Sequence, residues 1–158
     1  MRVLFLDIDG VLHPDPLQIM IGRTLRGKPV ARARKVEWPC IWVGLLAEML
    51  AGIDDIEVVI HSSWRLAYTL EELRLALGPI GERIVGATEG AQRWMSIQAW
   101  VAANPLIKDY LILDNASVEF PVPAPAQLLL CPSDAGLSDP QVQDRLRRWL
   151  RAGSRDLG

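Results

Sequence analysis

The chain has 158 residues, of which 50% are hydrophobic and 23% charged, a composition that fits one folded domain and excludes a disordered chain. Its 17 basic and 19 acidic residues give a formal net charge of −2, so the overall charge indicates neither nucleic-acid binding nor membrane binding. The two cysteines stand apart, which argues against a disulfide framework or zinc site, and no apolar run suits a signal peptide or a membrane span, so we expect a cytoplasmic protein.

The first predicted strand covers residues 2–8 and leads into the residues DIDGVL, in which Asp7 and Asp9 are followed by Gly10. Two carboxylates two residues apart project in similar directions from an extended chain, and Gly10 lets the backbone turn sharply and approach a ligand. Neighbouring carboxylates repel each other unless a cation neutralises them, and their hard oxygens suit Mg²⁺. The end of this strand is therefore predicted to hold a magnesium ion.

A basic segment follows this strand end. Between Asp15 and Glu37 the chain has no acidic residue but six basic ones: Arg23, Arg26, Lys28, Arg32, Arg34 and Lys35. Without these six, the remaining 11 basic residues (17 minus 6) and 19 acidic residues leave a charge of −8. Two interpretations stay open, a guide for an anionic substrate and a solubilising surface. After Pro39, apolar residues at helical spacing predict a helix over residues 40–52.

A second strand is predicted over residues 56–62, and it ends in the residues HSSWR. A serine hydroxyl and backbone N–H groups at a strand end can hold a phosphoryl oxygen, and Ser62 and Ser63 both lie there. His61, like His13 near the first strand end, can touch a substrate or simply pack. Trp64 can stack on a nucleic-acid base, although a tryptophan more often packs in a core.

A capping-box pattern predicts the start of the next helix. Thr69 and Glu72 form this pattern, and Gly78-Pro79 ends the helix. The third predicted strand then covers residues 82–87.

A helix is predicted over residues of about 90–103, ahead of the fourth strand. Arg93 lies in its first turn, where the helix dipole favours anions. Lys108 directly precedes the fourth strand and can simply be solvated.

The fourth predicted strand, residues 109–114, ends at Asp114, which Asn115 follows. The Asp114 carboxylate suits Mg²⁺ as a ligand. The amide oxygen of Asn115 can also ligate or hydrogen-bond.

The alternation of strands and helices predicts one domain over residues 1–158. A fifth strand over residues 127–131 and a last helix from about residue 138 to 150 complete the pattern. Continuous apolar strands separated by helices predict a Rossmann-like three-layer α/β/α sandwich with a five-stranded, mainly parallel sheet. In such sheets ligands bind beyond the carboxyl ends of the strands. Residues 13–38 are too few for a separate cap domain, so we expect a hairpin flap.

The strand-end residues, in this order, resemble the haloacid dehalogenase (HAD) superfamily from DIDGVL to Asp114. The SSW sequence after the second strand and the late GLSDP look like the small HAD domains of multidomain RNA-repair proteins. The resemblance implies that Asp7 is the nucleophile, which becomes an aspartyl-phosphate, and that Asp9 is the general acid and base. It implies a Ser or Thr at the end of the second strand, matched by Ser62 with Ser63 as the alternative. It also implies a Lys or Arg before the fourth strand that offsets phosphate and carboxylate charge, for which we favour Arg93 over Lys108. The Mg²⁺ ligands it implies are Asp7, Asp9, Asp114 and Asn115. Asn115 stands where the family usually has a second carboxylate, and Glu119 is the alternative as a more distant acid.

The resemblance therefore implies a Mg²⁺-dependent phosphohydrolase. Because a site without a cap suits a phosphate on a large molecule, we expect a nucleotide or nucleic-acid-end phosphate as substrate. The residues expected to contact this substrate are Gly10, His13, Arg26, Lys28, Arg32 and Ser63. The alternatives are a phosphoprotein phosphatase and a HAD-fold binding or regulatory domain without turnover, which Asn115 motivates.

Overall fold

The computed structural model of the protein describes residues 1–15 and 40–153, and five strands within them form a parallel sheet. The strands are β1 (Arg2–Leu6), β2 (Ile56–Ile60), β3 (Ile84–Ala87), β4 (Asp109–Asp114) and β5 (Leu128–Leu130). They lie side by side in the order β3-β2-β1-β4-β5, and every neighbouring pair is parallel. The predicted fold class is therefore confirmed, with a sheet that is wholly parallel.

Helices cover both faces of the sheet. They are α1 (Val43–Leu50), α2 (Leu70–Ala76), α3 (Arg93–Ala103) and α4 (Pro140–Gly153). One core cluster joins the sheet to side chains of α1, α2 and α4, and a second joins the opposite face to α3. Successive residues of β1 alternate between these two clusters, because strand side chains point to opposite faces. Both faces of β1 are thus buried, which explains its uninterrupted apolar run from Val3 to Leu6.

Most predicted element boundaries lie within a few residues of those observed. The capping box of Thr69 and Glu72 is present at the start of α2. The prediction of a helix from residue 40 was wrong at its start, since α1 begins only at Val43. The reason is tertiary: the backbone N–H of Trp42 donates to the carbonyl of Leu12 at 2.9 Å and draws this residue toward the end of β1.

Two further findings concern membrane spans and cysteines among the described residues. Among the described residues, no helix is both long and apolar enough to cross a membrane. Cys40 and Cys131 are both free thiols.

Candidate active site

Three polar residues lie at the carboxyl ends of the three central strands. Leu6 at the end of β1 is in register with Ile60 of β2 and Leu113 of β4, so the next residues, Asp7, His61 and Asp114, lie at one level. The backbone N–H of Asp7 donates to the carbonyl of Leu113 at 3.0 Å. All three side chains are buried. The parallel sheet thus brings together residues up to 107 positions apart in the sequence, at the edge where such folds bind ligands.

Arg93 joins two of these residues. Its Nη1 lies 3.1 Å from Oδ2 of Asp7 and 2.8 Å from Oδ2 of Asp114. The first turn of α3 positions this side chain. Lys108, the alternative from the sequence, lies at the opposite edge of the sheet, where its N–H donates to the carbonyl of Met1 at 2.9 Å. Of the two candidates, the structure brings Arg93 to the carboxylates.

The two carboxylates that share Arg93 have pKa values displaced in opposite directions. Burial, and then the charge of Asp114, raises the pKa of Asp7 from 3.8 to about 8, against the opposing charge of Arg93. Burial also acts to raise the pKa of Asp114, but the hydrogen bond and charge of His61, with the charge of Arg93, hold that pKa below its ordinary value. Two coupled carboxylates in one buried site separate in this way because both cannot be ionised at low cost.

His61 is a partner of Asp114 rather than a surface residue. Its Nε2 lies 2.8 Å from Oδ2 of Asp114, and both side chains are fully buried. Burial lowers the pKa of His61. The histidine therefore orients the Asp114 carboxylate within the protein, in the way that hydrogen-bonded partners orient functional groups. Nothing in the spacing of the sequence indicates this pair.

Gly10 and Asn115 are packed against each other beside Asp7. Gly10 has a φ of +75°, and a Cβ atom at this position would lie 2.3 Å from the side-chain nitrogen of Asn115. The predicted sharp turn is present, and only glycine permits both this conformation and this approach. The side chain of Asn115 is thereby held directly against the loop that follows β1.

Oxygen atoms converge at this contact. In one orientation of the Asn115 amide, its oxygen lies 3.0 Å from Oδ2 of Asp7 and 3.0 Å from the backbone carbonyl oxygen of Asp9. In the other orientation the amide nitrogen donates to the same two oxygens, and the amide oxygen accepts from the hydroxyl of Ser133 at 3.0 Å. The second arrangement satisfies every group with protein atoms alone, whereas the first places three hydrogen-bond acceptors together and would need a cation among them.

With the Asn115 amide oxygen turned toward Asp7, the three oxygens would fit Mg²⁺. Within residues 1–15 and 40–153, no group of three His, Cys, Asp or Glu side chains is arranged to hold a metal. The converging groups are instead one carboxylate, one backbone carbonyl and one side-chain amide. All three can present hard oxygen ligands of the kind that Mg²⁺ prefers. Asp114 is not among these converging oxygens. Its own two oxygens instead accept from Arg93, His61 and the backbone N–H of Ala116. Glu119 is exposed in the 3₁₀ turn Ser117–Glu119.

The two oxygens of Asp7 have different surroundings. Oδ2 accepts from Arg93 and faces Asn115. Oδ1 is buried and makes no hydrogen bond to any residue that the structure describes. A buried carboxylate oxygen without a donor is costly for stability, and such groups are found where function requires them.

Asp9 is held by two aromatic residues. The indole N–H of Trp64 donates to Oδ1 of Asp9 at 3.1 Å, and Nε2 of His13 lies 3.0 Å from the same oxygen. The other ring nitrogen of His13 lies 2.7 Å from the carbonyl oxygen of Pro14, which can only accept, so Nδ1 carries a proton. The Trp64 ring is only 2% exposed and cannot stack on a base in this conformation.

Ser62 begins the turn that carries Trp64. Its hydroxyl oxygen accepts the backbone N–H of Trp64 at 3.2 Å, at the start of the 3₁₀ turn Ser63–Leu66. The hydroxyl proton is therefore still available to donate to a ligand. Arg65 fixes the same region, since its guanidinium donates to the carbonyls of His61, Ser62 and Gly90. Ser63 lies in the turn itself and is partly buried.

Part of the predicted site lies outside the described residues. Arg26, Lys28 and Arg32, with most of the predicted flap over residues 13–38, fall within residues 16–39, which the structure does not describe. Their role in substrate binding stays a prediction, as does the extent of the domain over residues 1–158.

Comparison with known proteins gives one match. The family model described as the HAD domain in Swiss Army Knife RNA repair proteins matches residues 3–142. No curated protein and no solved structure matches the chain. The matched range includes every residue placed above at the ends of the strands.

Proposed function

Because the chain belongs to the family of HAD domains in Swiss Army Knife RNA repair proteins, we propose that it is a Mg²⁺-dependent phosphohydrolase acting through a phosphorylated Asp7. The observation that carries this proposal is the environment of Asp7. One of its oxygens is held by Arg93, while the other is buried and has no donor among the described residues. Such an oxygen suits nucleophilic attack on a phosphorus atom.

The first half of the proposed reaction transfers the phosphoryl group to Asp7. An oxygen of Asp7 forms a bond to phosphorus while the bond between phosphorus and the leaving-group oxygen breaks. Asp9 gives a proton to that oxygen, which leaves as an alcohol. In the second half, Asp9 accepts a proton from the water that attacks phosphorus, the bond between Asp7 and phosphorus breaks, and phosphate is released.

The remaining residues bind charge and hold the reacting groups in place. Ser62 donates its hydroxyl proton to a phosphoryl oxygen, and Arg93 offsets the negative charge of Asp7 and of the phosphoryl group. Oxygens of Asp7, Asp9 and Asn115 would hold Mg²⁺, and Asp114 supports them through Arg93. When bound, the ion supplies positive charge for the phosphoryl group and keeps the Asp7 carboxylate ionised.

We propose a phosphate at the end of a nucleic acid, or on a nucleotide, as the substrate. The description of the matched family ties its members to RNA repair. The six basic residues between Asp15 and Glu37 supply the positive charge that such a polyanion needs, on a chain that is otherwise acidic. A phosphoprotein has the same reactive group and is the alternative substrate.

Hydrolysis of p-nitrophenyl phosphate by the purified chain tests the proposed activity. We expect activity with Mg²⁺, loss of activity with EDTA, and a fall in kcat of at least about 1,000-fold in Asp7→Asn. Asp144→Asn is the matched control, because it makes the same chemical change in an exposed ion pair of α4 and should leave kcat unchanged. Activity that survives EDTA, or that survives in Asp7→Asn, would overturn the mechanism.

The substrate is tested separately. Oligoribonucleotides phosphorylated at either end, a nucleoside monophosphate and a phosphoserine peptide are compared by kcat/KM. Preference for the peptide would replace the proposed substrate class but not the mechanism.

One observation favours a second candidate function, a binding domain without turnover. In one of its orientations the Asn115 amide donates to Oδ2 of Asp7 and to the carbonyl of Asp9, the atoms that would otherwise ligate Mg²⁺. Titration with Mg²⁺ by calorimetry distinguishes the two functions. A phosphatase should bind the ion, and Asn115→Asp should tighten its binding. Failure of wild type to bind Mg²⁺ would favour the binding domain.

A further inference from the structure

The indole of Trp64 is a rigid hydrogen-bond donor to the carboxylate of Asp9. The bond measures 3.1 Å, from Nε1 of Trp64 to Oδ1 of Asp9. The ring is almost fully buried, with the ring of Tyr68 at 5.5 Å and that of His13 at 6.2 Å between centroids. A packed indole has one N–H and one direction for it, so the ring restricts the orientation of the carboxylate that accepts from it, together with Nε2 of His13, which lies 3.0 Å from the same oxygen.

A buried tryptophan needs an acceptor for its N–H, and a backbone carbonyl is sufficient for that purpose. Here the acceptor is a carboxylate whose side chain is 15% exposed, at the mouth of the proposed site. When Asp9 is ionised, this hydrogen bond is charge-assisted and stronger than one between neutral groups. When Asp9 carries a proton on its other oxygen, Oδ1 can still accept from the indole. The arrangement therefore does more than satisfy the indole.

The same turn positions Trp64 and Ser62. Ser62 caps the 3₁₀ turn Ser63–Leu66 by accepting the backbone N–H of Trp64. The hydroxyl proposed to bind a phosphoryl oxygen and the donor that orients Asp9 are therefore two residues apart on one short, packed element. Any displacement of this turn would move the phosphoryl-binding group and the partner of Asp9 together.

We propose that Trp64 is a positioning residue for Asp9, which it holds in the orientation needed to protonate the leaving group. This inference rests on the proposed function, in which Asp9 gives its proton to the leaving-group oxygen. The bond matters most for substrates whose leaving group cannot depart as an anion. An alkoxide needs the proton, whereas p-nitrophenolate departs readily without one.

The test compares two substrates by kcat/KM, which covers the steps up to departure of the leaving group. Trp64→Phe keeps most of the packed ring and removes the N–H. We expect kcat/KM to fall by about 10- to 100-fold with an alkyl phosphate such as β-glycerophosphate, and by several-fold less with p-nitrophenyl phosphate. The ratio of the two values is unaffected by partial unfolding, since a smaller folded fraction lowers both equally.

Two further variants complete the experiment. Trp149→Phe is the matched control, because its indole N–H also donates to an aspartate, Asp109, at 2.7 Å, but from α4 at the opposite edge of the sheet. We expect its substrate ratio to equal that of wild type. Asp9→Asn should show a larger preference for p-nitrophenyl phosphate than Trp64→Phe, since it removes the proton donor itself.

The possible results separate this inference from the proposed function. If Trp64→Phe loses the same factor on both substrates, or loses nothing on either, Trp64 only packs and the inference is overturned. If Asp9→Asn also loses the same factor on both substrates, or if wild type hydrolyses neither, the proposed role of Asp9 fails and this inference fails with it. A change in the ratio for Trp149→Phe matching that for Trp64→Phe would equally overturn it.

Discussion

At the scale of single residues, Asp7 combines burial, a neighbouring carboxylate and a shared arginine, and its proton is coupled to folding. Its pKa is about 8 in the folded protein against an ordinary value of 3.8. The folded state therefore holds a proton over roughly pH 4 to 8 that the unfolded state has released. The free energy of unfolding must then decrease as the pH rises through this window.

This coupling predicts that, without metal, the stability of wild type depends on pH more steeply than that of Asp7→Asn. In EDTA, the free energy of unfolding of wild type should fall by more than about 1 kcal/mol between about pH 5 and pH 8, relative to that of Asp7→Asn. Urea denaturation at the two pH values measures both slopes. Parallel slopes in the two proteins would show that Asp7 is not the group that titrates.

Gly10 gives a second prediction at this scale. In Gly10→Ala the new methyl group would displace the Asn115 amide, so we expect a higher Mg²⁺ concentration for half-maximal activity and a loss of about 1–3 kcal/mol of stability. Gly52→Ala is the matched control, since Gly52 has a φ of +76° but nothing within 4 Å of the added atom. It shares the backbone strain without the contact. Equal Mg²⁺ requirements in both variants would contradict the role given to Asn115.

At the scale of elements, a second arginine, Arg2, joins β1 to α4 and to the loop before β2, at the edge of the sheet opposite the site. Arg2 of β1 donates to both oxygens of Asp55, at 2.7 and 2.9 Å, and to the carbonyls of Trp149 and Leu150 near the end of α4. Its hydrogen bond is the main cause that holds the pKa of Asp55 below its usual value. The stabilisation is present above the ordinary pKa of Asp55 and is lost as the pH falls through the lowered value.

Asp55→Asn should therefore be less stable than wild type near neutral pH, by about 1 kcal/mol because the pair is partly exposed to solvent. The difference should shrink as the pH falls below 3.8, the ordinary pKa of Asp55, and through the lowered value. Chemical denaturation across this range measures it. Asp54→Asn, one residue away and exposed, is the control. If both variants lose the same stability, or if the loss does not depend on pH, then the Arg2–Asp55 ion pair is not its cause.

At the scale of the whole molecule, the uneven distribution of charge predicts how substrate size affects catalysis. Outside the six basic residues between Asp15 and Glu37, the chain carries a formal charge of −8 (−2 minus 6), which repels a polyanion. These six residues are therefore expected to determine whether a nucleic acid approaches the site at all. A small aryl phosphate depends much less on them.

Neutralising four of these residues tests the prediction: Arg26, Lys28, Arg32 and Arg34. We expect weaker kcat/KM on a phosphorylated oligonucleotide, and a slope of log kcat/KM against log salt that is reduced by up to about three, with little change on p-nitrophenyl phosphate. A matched control neutralises four arginines of α4: Arg145, Arg147, Arg148 and Arg151. Equal effects of the two quadruple variants would indicate general charge rather than local guidance.

Local patterns in the sequence were sufficient to predict the helices and strands of this protein and the strand ends of the candidate site. Features that depend only on residues a few positions apart can be predicted without the fold. Examples are the continuous apolar runs, the capping box at Thr69 and the turn at Gly10. The rule that parallel sheets bind ligands at their carboxyl edge then indicated Asp7, Asp9, Ser62 and Asp114 as a group.

The tertiary structure alone decided how these groups pair. In the structure Asn115, rather than Asp114, packs against Asp7 and Asp9. Asp114 is hydrogen-bonded to His61, and Asp9 accepts from Trp64, which lies 55 residues away in the sequence. These contacts depend on strand order, on register and on which face of a turn is buried. A residue's own neighbours in the sequence carry none of that information, because the partners meet only after the sheet has formed.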